Sequence, residues 1–154
     1  MTWRMVAVPG GHLPAVPSPL PVPPGSGDDW VMAAVLSYIA AAVTGLWGVA
    51  HAIPTRQVVA GFRDTSIDNR RVLLQEWLAE AVSMWALAAL VIVVTAVAGG
   101  TAAAAWSDRI AAAALLALAV LTSLTGARTP VIWFKICPVL LGGSAALLLL
   151  ASLS

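Results

Sequence analysis

The stretch VLLQEWLAEAVSMWALAALVIVVTAVA, residues 72–98, decides what kind of chain this is. It runs for 27 residues with two charges, Glu76 and Glu80, both near its start. A helix needs about 20 apolar residues to cross the roughly 30 Å hydrocarbon core of a bilayer. Three further stretches approach the same length, at 30–53, 106–126 and 131–153. The pattern predicts an all-α integral membrane protein, a four-transmembrane-helix bundle of up-down-up-down topology.

Composition agrees. Of 154 residues, 60% are apolar and 10% charged, and the mean hydropathy is +0.93. A water-soluble domain of this size would carry far more surface charge. The four spans and their connections fill 30–154 as one transmembrane domain, with no room for a separate soluble unit. The net charge of +1, without a basic patch interleaved with aromatics, argues against nucleic acid as a partner. The expected partner is the lipid bilayer. A small molecule or proton as ligand, and a membrane protein or second copy as neighbour, are compatible with the pattern. One cysteine excludes an internal disulfide. Seven arginines against a single lysine, with heavy Ala, Val and Leu usage, suggest a GC-rich bacterial genome.

Residues 1–29 differ in kind. They hold seven of the ten prolines, so this segment is expected to be a disordered tail. It lacks the basic start and unbroken apolar run of a signal peptide. The first span is then its own insertion signal.

Charge sets the orientation. Arg56, Arg63, Arg70 and Arg71 lie between spans one and two, and Arg128 and Lys135 at the turn between three and four, whereas Arg4 and Arg109 fall on the other side. By the positive-inside rule, the first and third connections face the cytoplasm and both termini face outward, in the inner (plasma) membrane. Trp30 and Trp106 then open spans at the outer interface, Trp77 and Trp133 lie near the inner one, Trp47 one to two turns inside it, and Trp85 deeper.

Local signals place the helix ends. Asp28 and Asp29 provide an acidic start to span one, and Pro54 ends it. Asp68 or Asn69 is expected to cap span two, Ser107-Asp108 lies at the opening of span three, and Thr129-Pro130 reads as the entry to span four. Pro138 predicts a kink in the last helix. The apolar run 58–62 between Arg56 and Arg63 is expected on the membrane surface or beneath the bundle. Small-residue seams at Ser37, Ala41, Gly45 and Gly48, at 111–114, and at Gly142, Gly143 and Ser144 are expected to pack the helices together.

The sharpest functional signal is Glu76 with Glu80. Four residues apart, they stand a turn from one another, and Ser83 continues the face. Carboxylates at that depth are costly against lipid, so they are expected to look into the protein. His51, at the inner end of the Ser37–Thr44–His51 stripe, Arg128 and Lys135 supply bases at the same level. The candidate polar pocket is therefore His51, Glu76, Glu80, Ser83, Arg128 and Lys135, opening toward the cytoplasm. An ion-pair network that fixes helix register would explain the same residues.

No catalytic motif accompanies the cluster. A phosphate loop, H-E-x-x-H and G-x-S-x-G are all missing, and a bis-histidine haem would require a second histidine within a span. A zinc or iron site from His51, Glu76, Glu80 and Cys137 would lack diagnostic ligand spacing. No cofactor or metal is therefore expected. The expected function is a non-enzymatic ligand-binding, transport or accessory membrane protein. The alternative is a small membrane-embedded enzyme using His51 and a glutamate as acid–base pair, with Cys137 as an available thiol.

Overall fold

A computed structural model describes residues 27–154 of the chain. The proposed tail, 1–29, lies outside the described residues except for 27–29, which are not disordered but form the first turn of α1. Among those described there are five α-helices and one 3-10 turn: α1 Gly27–Ala52, α2 Thr55–Gly61, α3 Ile67–Ala98, α4 Ala102–Leu124, the turn Gly126–Arg128, and α5 Ile132–Ala151. The long helices α1, α3, α4 and α5 are each apolar enough to cross a membrane. They form an up-down-up-down bundle in which α1 packs on α3 and α5, and α4 packs on α5, while α3 and α4 meet more loosely.

The helix starts differ from the sequence expectation, for reasons seen in the caps. The α3 helix begins at Ile67, and its N-cap is Ser66, whose hydroxyl accepts from the Asn69 amide at 3.2 Å. At 32 residues α3 is about 48 Å long, more than a bilayer core requires. Its polar first turns therefore extend past the end of α1. The α4 helix opens at Ala102, capped by Thr101, so Asp108 stands in its second turn and not at its mouth. The Thr129 hydroxyl turns back to the Gly126 carbonyl, and α5 starts at Ile132 without a side-chain cap. Most of the apolar run 58–62, expected on the membrane surface or beneath the bundle, belongs to the short helix α2. It packs against α3, and Arg70 donates to the Phe62 carbonyl at 3.1 Å to close the connection. The α5 helix continues through Pro138, whose missing N–H leaves the Phe134 carbonyl without its helical donor.

The core is built largely of alanine. Ala40, Ala41, Ala88, Ala111, Ala112 and Ala145 are buried with Met84, Val91, Leu115, Leu141 and Leu148. Lipid tails give apolar helices no incentive to associate, so close backbone approach has to hold the bundle. The first seam does this. A Cβ at Gly48 would stand 2.7 Å from Trp85 Nε1, and one at Gly45 would touch Ala88 at 3.5 Å. Trp85 thus packs over Gly48 while its other edge stays exposed. The α5 glycines differ from expectation: a Cβ at Gly142 or Gly143 would meet nothing within 4 Å, and Ser144 alone of that trio is buried. Only 22–33% of each span is buried within the bundle, leaving a broad apolar exterior suited to lipid contact.

Candidate functional site

The residues of the candidate pocket separate into two groups. The buried stripe of α3 comprises Ala81, Met84, Ala88, Val91 and Thr95. With 3.6 residues per turn, Glu80 lies about 60° from the centre of that stripe, Glu76 about 100° and Ser83 about 120°. Glu80 is accordingly 22% exposed, whereas Glu76 and Ser83 are exposed. Spacing of four residues keeps side chains neighbours but turns them by 40°, and here that rotation separates an inward acid from an outward one. Glu76 also sits a full turn before Glu80, where α1 has already ended. The Ser83 hydroxyl is turned onto its own helix, donating to the Ala79 carbonyl at 2.7 Å.

Glu80 meets the base that α1 carries. Its Oε2 is 3.5 Å from His51 Nε2, and His51 is 8% exposed. Trp77, one turn before Glu80, fixes the imidazole. Its ring stacks on His51 with centroids 4.0 Å apart and planes 18° from parallel, and its indole N–H donates to the His51 carbonyl at 3.0 Å. That bond satisfies one of the carbonyls left open at the end of α1. Phe134 of α5 meets Trp77 edge-on at 5.9 Å, so three helices close this layer. The polar groups within it are incompletely paired: Glu80 Oε1 is buried without a hydrogen-bond partner. The Cys137 thiol is buried nearby, bordered by Trp47 and Thr122.

Arg128 and Lys135 do not enter this layer. Both are exposed. Arg128 lies in the 3-10 turn beyond α4, and the inward positions of early α5 are taken by Phe134 and Cys137. The expected single chamber, with two acids facing two cations, does not form: buried His51 meets half-buried Glu80, while Glu76, Arg128 and Lys135 are exposed.

A fully buried acid lies outside the expected pocket. Asp108 is 5% exposed, and its Oδ2 lies 2.8 Å from the Ser37 hydroxyl of α1. The same hydroxyl is 3.0 Å from the Ala33 carbonyl. One hydroxyl hydrogen serves one acceptor at a time, so Ser37 donates either to Asp108 or to the Ala33 carbonyl. The signal was present in the sequence: Asp108, Ala111, Ala112, Leu115 and Ala119 share the buried face of α4 at helical spacing. Next to it, Arg109 turns outward. It lies over the Trp106 ring at 5.1 Å and donates to the Ser152 carbonyl at 3.0 Å, tying the start of α4 to the end of α5.

Two cavities among the described residues lie away from His51 and Glu80. One is a packing gap at mid-bundle between Thr44, Leu87, Val91, Leu115 and Leu148, with no room for a water molecule. The other is an open apolar groove of about 520 Å³ between α3 and α4, lined by Ala86, Leu87, Ala114, Ala117 and Leu118 among others. Among the described residues no group of three or more His, Cys, Asp and Glu side chains is gathered to hold a metal ion.

In comparisons with known proteins the chain matches no family model, no curated protein and no solved structure. Fold and composition define the class: a small α-helical membrane protein with four spans.

Proposed function

We propose that this protein is a non-enzymatic transport or accessory protein of a bacterial inner membrane, and that it takes up and releases a proton or small polar ligand at the His51–Glu80 pair. The observation that carries this is the pair itself: an acid 3.5 Å from a base, inside an apolar bundle, with an oxygen of the acid left unpaired. Ionisable groups at membrane depth are expensive and mark ion pathways and proton relays as a rule. A purely architectural pair would be expected to have its lone pairs and protons filled. Arg56, Arg63, Arg70, Arg71, Arg128 and Lys135 belong to the end of the bundle that holds the pair. The positive-inside rule makes that end cytoplasmic and turns both termini outward.

The enzyme alternative assigns His51 and Glu80 to acid–base catalysis, for which their separation is suitable. A substrate would also have to reach both groups.

Infrared difference spectra over a pH series, wild type against Glu80→Gln, test the reading. The expected result is a carboxyl band, absent from the variant, that responds to bulk pH while both proteins stay folded. A carboxyl blind to bulk pH, or a Glu80→Gln variant that does not fold, would make the pair architectural.

A further inference from the structure

The geometry points to a proton path through the bundle, running from Asp108 at one end to Glu80 at the other along the Ser37–Thr44–His51 face of α1. This rests on the reading of His51–Glu80 as an exchange site and names the exchanged species. Ser37, Thr44 and His51 are all buried. Seven residues apart, they repeat every two turns on one side of α1, so they span roughly 21 Å of the roughly 30 Å hydrocarbon core. A carboxylate from a different helix stands at each end of the row: Asp108 of α4 on Ser37, and Glu80 of α3 on His51.

The middle of the row carries the independent observation. Thr44 Oγ1 and Ser144 Oγ are buried without hydrogen-bond partners, although both residues are only 2% exposed. Buried hydroxyls normally find a partner, and helix carbonyls are within easy reach of Ser and Thr side chains. Thr44, midway along the row, is left free where a relay between the two acids would need a donor and acceptor. Acids with hydroxyls between them are the residue types that pass protons: each receives a hydrogen on one lone pair as it gives one up from another.

The path is shut as it stands. The layers are about 10 Å apart along α1, too far for a direct hop, and the gap beside Thr44 excludes water. An apolar constriction of this kind gates by dewetting. Leu87 is the side chain that lines both this gap and the open groove between α3 and α4. Movement of Leu87 toward the groove would give the Thr44 layer room for water. A proton taken up by Asp108 would then pass through Ser37 and water to Thr44, and through water to His51, which gives up a proton to Glu80 as it accepts one. Glu80 releases a proton to the cytoplasmic side. Each O–H or N–H bond formed matches one broken, and no other reactant is needed.

The test uses the full chain in proteoliposomes with an internal pH-sensitive dye and a potassium diffusion potential. The expected results are a proton flux above that of protein-free vesicles, at least a tenfold loss in Asp108→Asn and Thr44→Val, and a rise in Leu87→Ser. Thr44→Val removes a hydroxyl that has no partner, so its folding should be unharmed, and it guards against acid variants that fail to assemble. Wild-type and Leu87→Ser vesicles no leakier than protein-free ones would overturn the path, as would an undiminished flux in folded Thr44→Val. A pH-responsive Glu80 carboxyl without flux would remove the path and leave the exchange site standing. An unresponsive carboxyl would remove both.

Discussion

At the residue scale, the two glutamates of α3 have different fates although they share one spacing. Glu80 reaches His51, and Glu76 faces outward beyond the end of α1. Glu76→Gln should therefore change stability by no more than about 0.5 kcal/mol, as exposed substitutions do. Ser37→Ala should be worse than its size suggests. It strips Asp108 of its hydroxyl partner, and a buried acceptor left open costs about 1–3 kcal/mol. Thermal unfolding in mild detergent measures both. The existence of an inward acid and a facing histidine was legible in the sequence, since intramembrane charge has few other places to go. Which glutamate turns inward was not, because 40° of rotation is decided by the packing of α1 on α3. Asp108 was overlooked for another reason. Its helix starts at a Thr101 cap hidden in a run of alanines, and an acid read as part of a helix mouth is not read as buried.

At the scale of elements, the bundle depends on a few close approaches and tolerates change elsewhere. Gly48 lies beneath the indole of Trp85. Gly48→Leu should drive α1 away from α3 and lower stability by about 1–3 kcal/mol, the usual range for overpacking. Gly143→Ala should do the opposite. Nothing lies within 4 Å of the added methyl, and glycine in a helix interior is less favourable than alanine by up to about 1 kcal/mol. The two melting shifts should thus have opposite signs. The four long helices could be read from hydrophobic length alone, and the α1 seam from its small residues. The first turns of α3 and the whole of α2 could not. They are polar or short, and a seven-residue helix is marginal without the tertiary contact that α3 provides.

At the scale of the whole molecule, charge asymmetry and the buried polar row give the bundle a direction. In a Cys137→Ser background, a cysteine in place of Asp64 should react with an impermeant maleimide from the cytoplasmic side alone. One in place of Ser154 should react from the other side alone. Reversed labelling would turn the protein over and put the His51–Glu80 pair on the outer face. The central claim is more local: Glu80, and not Glu76, meets His51 inside the bundle. A double-mutant cycle on unfolding free energy tests it most directly, using His51→Gln with Glu80→Gln and, in parallel, His51→Gln with Glu76→Gln. Residues in contact couple by about 0.5–3 kcal/mol, while independent sites add to within about 0.3–0.5 kcal/mol. The expected result is coupling in that range for His51 with Glu80 and simple additivity for His51 with Glu76. Additivity at Glu80, or coupling at Glu76 in its place, would contradict the account.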